Sequence, residues 1–245
     1  MEEARPATVF ISVDVPREYE ESALVGGIQD VLRRHQVCSM WSFEFRGPAK
    51  VIRVIRAASN EFGLLATEDW ANPVVGRSSF ARELSARMTC AAGMGIEPMA
   101  LALSCNDSPS HFDLLVKHRL AIVRTRTDVS SGSANSLQPR LSRYGIWQAE
   151  PTLVIPVSSR WTLPWTSRRL LQQAIDRSQT VHVAVDARSL ARNISAGLLS
   201  LDYFLKLANV RRESGLLQIV SAKQLLDIYH PRRERITSRS ILRAA

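Results

Sequence analysis

Short apolar runs alternate with amphipathic stretches along most of the chain. Runs such as 9–13 and 180–185 are mostly apolar, which is typical of strands buried on both faces. Stretches such as 18–35 and 78–92 carry apolar residues three or four positions apart, as amphipathic helices do. The predicted strands are 9–13, 37–43, 62–66, 99–103, 120–124, 152–157, 180–185 and 216–220. The predicted helices are 18–35, 48–58, 78–92, 108–118, 167–177, 195–213 and a helix that Ser221 caps and that ends near Tyr229.

This alternation predicts an α/β fold. Strands separated by helices of this length pair in parallel through right-handed crossovers, and helices then cover the sheet. We therefore predict a distorted (β/α) barrel of about seven to eight parallel strands, with its functional residues at the carboxyl ends of the strands. Residues 1–230 are expected to form one domain, followed by a basic tail at 231–245, and the polar stretch 126–145 is expected to be a long loop.

Charge and cysteine content narrow the function classes. The formal net charge is +9, and the last fifteen residues hold five arginines and one glutamate, so the tail supplies +4 of it. Such a tail is expected to be a solvated end, although it could also touch nucleic acid or acidic lipid. The chain has no apolar run of about 18 residues, so no membrane span is predicted. The three cysteines form no Cys-x-x-Cys pair and no secretory signal is recognised, so we expect a cytoplasmic protein.

Nucleotide and serine-hydrolase signatures are missing from the sequence: it contains no Gly-x-Gly-x-x-Gly, phosphate-binding Gly-Lys-Ser/Thr or Gly-x-Ser-x-Gly motif. The candidate site residues instead follow predicted strands. Asp14 is a candidate for catalysis or the cap of the next helix, and His182 a candidate catalytic group or a packed core residue. Asp186 suits either a binding pocket or the cap of the following turn. Glu68, Asp69 and Trp70 combine acids with an aromatic ring, which suits sugar binding or the start of a helix.

Three further tryptophans, Trp147, Trp161 and Trp165, stand beside predicted loops and prolines. Such rings could line a carbohydrate groove or pack in the core.

Several segments, taken in order, resemble the polysaccharide deacetylase family of carbohydrate N-deacetylases. Residues 12–16, Ser-Val-Asp-Val-Pro, stand where that family has T-F-D-D-G-P. Residues 28–43 follow its I-x-x-V-L-x-x-H-x-V pattern, and residues 61–73 resemble its H-E-I-G-x-H-x-x-x-H-P. Residues 109–120 resemble a helix ending in L-L-x-x-H-G-F, and 181–186 resemble F-H-x-x-x-H. The resemblance extends over about residues 7–229 and implies the family's deacetylase barrel.

The resemblance also implies a chemistry that this chain has largely lost. In that family an aspartate and two histidines hold a divalent ion, usually zinc, which polarises the acetamide carbonyl and the attacking water. By position, Asp14 matches the general base and His182 matches the acid. Val15 replaces the metal-binding aspartate, Glu68 and Asn72 fall on the two histidines, and Asp186 replaces a second closing histidine. Valine has no ligand atom and an asparagine oxygen is a poor zinc ligand, so we predict no metal cofactor.

Three functional hypotheses remain. The first is a deacetylase-like protein of carbohydrate metabolism that binds a carbohydrate or acylated sugar without catalysis. The second is an active hydrolase of C–N or ester bonds on sugars, with a carboxylate site of Asp14, Glu68, Asp69 and Asp186 that would suit magnesium or manganese. The third is a basic interaction protein acting through its tail. Nucleic acid is not an expected partner, and the sequence predicts no oligomeric state.

The sequence also predicts a geometry for the site. If the first and closing strands are neighbours, Asp14 and Asp186 should meet at the mouth with His182 deeper. Two unpaired carboxylates there would repel each other, so Asp14→Asn is expected to leave stability unchanged or raise it.

Overall fold

Ten strands and eight α-helices make up the part of the chain that the computed structural model describes, which is residues 5–47, 50–58, 60–66, 69–104, 111–125, 139–142, 144–156 and 163–229. The strands are β1 (Ala7–Val15), β2 (Met40–Phe43), β3 (Glu61–Ala66), β4 (Ala100–Leu103), β5 (Ile122–Arg124), β6 (Arg140–Leu141), β7 (Trp147–Ala149), β8 (Leu153–Ile155), β9 (Thr180–Asp186) and β10 (Leu217–Val220). The helices are α1 (Ala23–Arg34), α2 (Lys50–Ala57), α3 (Arg77–Gly93), α4 (Phe112–Lys117), α5 (Leu163–Arg177), α6 (Ala187–Ala191), α7 (Ile194–Glu213) and α8 (Ala222–Tyr229).

One curled sheet contains all ten strands, in the order β6-β7-β5-β4-β3-β2-β1-β9-β8, with β10 added to β1. Every pairing is parallel except that of β6 with β7. The strand β1 has three partners: β9 along one edge, and β10 followed by β2 along the other. The predicted distorted parallel (β/α) barrel is confirmed, and in the described part its sheet stays open between β6 and β8.

The alternating side chains of β1 enter two different cores. Val9, Ile11 and Val13 face outward and pack with the surrounding helices. Phe10 faces inward and joins a smaller cluster inside the curled sheet. That inner cluster consists of Phe10, Met40, Ala100, Ile122, Trp147, Ala149, Val220, Ala222 and Leu225, with Tyr229 packed against it. The inner face of the sheet is therefore apolar toward the amino ends of the strands, which we call the base.

Helix α8 closes the base. Ser221 and Gln224 form a reciprocal capping box, in which each side chain accepts a hydrogen bond from the other residue's backbone N–H, at 3.3 and 2.9 Å. The carboxylate of Glu61 on β3 accepts from the N–H groups of Ala222 and Lys223, where the helix dipole favours a negative charge. The Tyr229 hydroxyl lies 2.6 Å from that of Thr180, so α8 is held at both ends. The predicted cap at Ser221 is confirmed.

Several elements differ from the sequence predictions. The helix predicted over 18–35 is divided into a 3-10 turn (Arg17–Tyr19) and α1. The strand β7 and the helix α6 were not predicted, because each is too short to show a period of its own. The pair β6–β7 also ends the loop predicted over 126–145 at Arg140. The basic tail lies outside the described residues, and no described helix has the length and hydrophobicity that a membrane crossing requires.

Candidate functional site

The carboxyl end of β1, at the mouth of the barrel, carries Asp14. Asp14 is directly opposite Asp186 of β9 on one side and Ser42 of β2 on the other. Neighbouring parallel strands are about 4.8 Å apart, so the two aspartates lie within a sugar's width, as the sequence predicts. His182 lies four residues below Asp186 on β9, opposite Phe10.

An arginine that the sequence analysis did not select completes this site. Arg124 is the last residue of β5, and its guanidinium forms an ion pair with the Asp14 carboxylate. In the sheet β5 is four strands away from β1, so the contact exists only because the sheet curls. The Arg124 side chain is almost fully buried, whereas that of Asp14 keeps part of its surface exposed. The expectation of two unpaired carboxylates is therefore wrong. The sequence signal that could have identified Arg124 is a charged residue at the end of an apolar strand.

Small residues leave room for Arg124 to cross the barrel. A Cβ atom at Gly63 would lie 3.0 Å from the Ser42 hydroxyl and 3.2 Å from the carbonyl oxygen of Ala100. Ala100 and Ala102, on the next strand, are fully buried. Larger side chains here would fill the space between β1 and β5.

His182 is an uncharged, buried hydrogen-bonding group. It is 4% exposed, its Nε2 lies 2.9 Å from the Ser12 hydroxyl, and its ring contacts Phe10 at 4.8 Å between centroids. Burial, followed by the positive charge of Arg124, lowers its pKa to about 3, against a weaker opposite effect of the Glu150 backbone. The acid role implied by the family resemblance stays a prediction.

The carboxylate of Asp186 caps α6. It accepts hydrogen bonds from the Arg188 N–H at 3.1 Å and from the Ser189 hydroxyl at 2.6 Å. The structure thus favours the capping alternative over a free pocket carboxylate.

In the predicted sugar-binding segment of Glu68, Asp69 and Trp70, the tryptophan is buried. Trp70 is buried, with its ring 5.6 Å from that of Phe80 and 4.9 Å from the Arg87 guanidinium. Asp69 begins a 3-10 turn (Asp69–Ala71), and Glu68 lies outside the described residues. These contacts make Trp70 a packing residue in this structure, and its sugar-binding role stays a prediction.

The other tryptophans proposed for a carbohydrate groove do not share one environment. Trp147 belongs to the inner cluster and Trp161 lies outside the described residues. Trp165 is 65% exposed near the start of α5, with Arg169 stacked over its ring at 5.2 Å. Among the tryptophans that the structure describes, only Trp165 is open to a ligand.

The donor set does not fit the zinc ion of the resembling family. Val15 has no ligand atom and faces the outer core, and Asn72 uses its side-chain oxygen to accept from the Val74 N–H at 3.1 Å. Asp186 is engaged as a helix cap, and Asp14 is paired with Arg124. Within the ranges that the structure describes, no three His, Cys, Asp or Glu side chains converge on a common metal position.

A second pair of carboxylates, Glu20 and Glu44, is buried just beyond β1 and β2. Glu44 accepts from the Arg17 N–H at 3.1 Å. Burial, and then the charge of Glu44, raises the pKa of Glu20 to about 7. No sequence motif marks this pair, because Glu20 and Glu44 belong to separate segments of the chain.

His182 and Glu20 predict opposite pH dependences of stability. With its pKa lowered from 6.5 to about 3, His182 contributes stability that is full above pH 6.5 and is lost on acidification, by at most about 1.4 kcal/mol per pH unit. With its pKa raised from 4.5 to about 7, Glu20 contributes stability that is full below pH 4.5 and is lost as the pH rises. The two slopes oppose each other between pH 4.5 and 6.5.

We therefore expect Glu20→Gln to steepen the loss of stability between pH 6.5 and 4.5, and His182→Gln to flatten the loss below pH 4.5. Urea unfolding of the two variants and the parent across this range measures both slopes. Parallel curves for all three proteins would contradict these protonation assignments.

Comparison with known proteins gives the fold but no sequence relative. No family model matches the chain, and neither does any curated protein sequence. Among solved structures, a Mycobacterium smegmatis protein assigned as a polysaccharide deacetylase has a TM-score of 0.70 at 14% identity, over 93% of this chain and 91% of that one. For PuuE allantoinase the TM-score is 0.66 at 12% identity, over 95% and 93% of the chains.

Pseudoenzymes also share this fold. A CE4 family pseudoenzyme from Bacillus anthracis was solved as a mutant with restored enzymatic activity, and that mutant has a TM-score of 0.53 at 13% identity, over 91% of this chain and 69% of its own. At these identities the likeness establishes the fold alone. The polysaccharide deacetylase fold that the sequence resemblance implies is thereby confirmed.

Proposed function

We propose that this chain is a deacetylase-fold protein of carbohydrate metabolism that binds a carbohydrate or acylated sugar at the barrel mouth without metal-dependent hydrolysis. The observation that carries the proposal is which residues stand where the resembling family has its metal ligands, and what those residues contact. The residue after Asp14 is an apolar valine. Side-chain oxygens of Asp186 and Asn72 already accept hydrogen bonds from backbone N–H groups. Solved neighbours of this fold include both polysaccharide deacetylases and pseudoenzymes.

The Asp14–Arg124 pair supports sugar binding as the remaining activity. The Asp14 carboxylate accepts from Arg124, and the Asp14 side chain, at the mouth, keeps 14% of its surface exposed. Sugar hydroxyls and acetamide N–H groups donate to such a carboxylate, and a hydrogen bond to a charged group contributes about 1.5–3 kcal/mol. The partly exposed Ser104, just past β4, lies at the same end of the sheet.

Calorimetric titration with a chitin tetrasaccharide and with its fully deacetylated counterpart tests this proposal. The double variant Asp14→Asn/Arg124→Met removes both charges of this ion pair and should weaken binding at least tenfold, since about 1.4 kcal/mol corresponds to a factor of ten. The matched control is Asp30→Asn/Arg33→Met, which removes an exposed ion pair on α1 and should leave the affinity unchanged. No binding of either sugar by the parent protein would contradict the proposal.

Metal analysis provides an independent prediction. The purified protein is expected to retain much less than one zinc ion per chain after dialysis against a weak chelator. The described residues at the ligand positions either are apolar or already take part in hydrogen bonds or an ion pair. Stoichiometric zinc would contradict this expectation. Release of acetate from an acetylated sugar in the presence of manganese would instead favour the active-hydrolase hypothesis.

A further inference from the structure

Helix α5 has two faces of different character. Its buried side chains follow one side of the helix, which packs against β1 and β9: Leu163, Ser167, Leu171 and Ala174. Counted at about 100° per residue, four exposed residues follow the opposite side: Trp165, Arg169, Gln172 and Asp176. We call these four residues the outer stripe of α5.

Trp165 is the aromatic ring of the outer stripe. It is 65% exposed, whereas Trp41, Trp70 and Trp147 are each at most 8% exposed. The Arg169 guanidinium, one helical turn further on, lies 5.2 Å from the centroid of the Trp165 ring and covers one of its faces. The exposure that remains leaves the other face open to solvent. The ring is therefore a large apolar surface that is already oriented before any ligand binds.

Hydrogen-bonding groups continue this surface beyond the ring. The Gln172 amide donates to the Asp176 carboxylate at 2.8 Å, so these two side chains orient each other. From Trp165 to Asp176 the helix rises about 16 Å, at about 1.5 Å per residue. The guanidinium, amide and carboxylate groups of the stripe supply both donors and acceptors over that length. The outer stripe thus combines one apolar ring with a row of polar groups that bond in both directions.

The outer stripe lies outside the barrel, with Trp165 at the level of the mouth. The 15 residues of α5 rise about 22 Å, and the seven residues of β9 rise about 23 Å. Helix α5 ends at Arg177, just before β9 begins at Thr180 at the base, so the first turn of α5 is level with Asp186. Because Trp165 points away from the sheet, the helix itself separates its ring from Asp14. The stripe and the mouth are therefore two different surfaces.

We propose that the outer stripe is a second carbohydrate site, which binds a linear, uncharged polysaccharide with one sugar ring stacked on Trp165. The C–H groups of a sugar ring pack on the negative face of an indole, and hydroxyls at the ring edges bond to Gln172 and Asp176. The class of ligand rests on the proposed function, whereas the place of the site does not. A polymer bound here would be kept close to the mouth, which raises its effective concentration there.

Stacking on an indole also suits a single-stranded nucleic acid, and Arg168 beside the stripe adds a second exposed cation. The phosphates of such a chain, however, would meet the carboxylate of Asp176. Within the outer stripe the charges of Arg169 and Asp176 cancel, which favours an uncharged polymer over a phosphate chain.

Binding of the full chain to insoluble chitin tests the inference. Trp165→Ala should weaken this binding about tenfold, because it removes the stacking ring, and Trp165→Tyr should keep it within about threefold of the parent. The matched control, Leu199→Ala, removes an apolar side chain of similar exposure, 55%, from α7 and should change the binding less than about twofold. Thermal unfolding checks that the variants fold, since substitutions at exposed positions cost little stability.

The titration of the mouth with the chitin tetrasaccharide separates this inference from the proposed function. Trp165→Ala should leave the tetrasaccharide affinity within about twofold of the parent, and Asp14→Asn/Arg124→Met should leave most of the binding to insoluble chitin. Chitin binding that falls in the double variant but not in Trp165→Ala would overturn the outer stripe and leave the mouth proposal standing.

Three other results would also overturn the inference. The first is a parent protein that does not bind insoluble chitin. The second is an equal loss from Trp165→Ala and Leu199→Ala, since binding would then follow exposed apolar surface alone. The third is binding of single-stranded DNA that depends on Trp165, without binding of chitin, which would assign the stripe to a nucleic acid.

Discussion

Asp14→Asn should destabilise the protein by about 3–5 kcal/mol, because it leaves the charge of Arg124 buried without its partner. Arg124→Met should cost less. The methionine fills the apolar part of the space, and the charge that remains belongs to Asp14, whose side chain is 14% exposed against 4% for Arg124. Urea unfolding at neutral pH measures both values.

The double variant Asp14→Asn/Arg124→Met is the control for this prediction. Replacing both members of a buried ion pair is often close to neutral, so it should be more stable than Asp14→Asn alone. The resulting coupling energy should exceed about 2 kcal/mol. Equal losses for Asp14→Asn and the double variant would show that the carboxylate matters through some other contact.

Phe10→Ala should destabilise the protein by about 3–5 kcal/mol through loss of apolar burial and the cavity left inside the sheet. Phe10 is fully buried, belongs to the inner cluster that holds α8, and packs on His182. Because α8 rests on that cluster, the amides of Ala222–Tyr229 should also exchange faster with solvent. Thermal unfolding and hydrogen exchange measure the two effects.

Phe10→Leu keeps most of the apolar volume and should cost about 1–1.5 kcal/mol, with α8 exchange nearly unchanged. Val9→Ala offers a comparison on the outer core, because Val9 faces the helices and not α8. It should lower stability without selectively loosening α8. Selective loosening by Val9→Ala would contradict the division into two cores.

The fold could be predicted because its signals are local and repeated. An apolar run such as that around Ile11 and a helix period such as that of α1 are each contained in a single segment. Eight such segments in alternation leave few topologies open. The placement of Asp14 opposite Asp186 followed from the same reasoning, because each aspartate lies at the carboxyl end of its strand and the two strands pair.

The ion pair and the roles of single polar groups could not be predicted in that way. Arg124 and Asp14 are 110 positions apart in the sequence, and the curvature that joins them depends on all the strands between. Whether Asp186 caps a helix or faces a pocket depends on Ser189 and on α6, a helix too short to be recognised from its own pattern. As an aromatic residue Trp70 suited a sugar site. Its burial could not be predicted, because it depends on contacts with Phe80 and Arg87.

The three-sided pairing of β1 has a consequence for biosynthesis. The amino half of β1 pairs with β10 in the register Ala7↔Leu217, so β1 leaves the ribosome long before one of its partner strands has been made. Until residue 220 has been made, the backbone N–H and C=O groups along that edge have no sheet partner, and an unpaired edge is open to other chains. The nascent protein should therefore depend on chaperones until β10 has left the ribosome, and contacts of such long sequence separation should make the pairing of β1 with β10 slow.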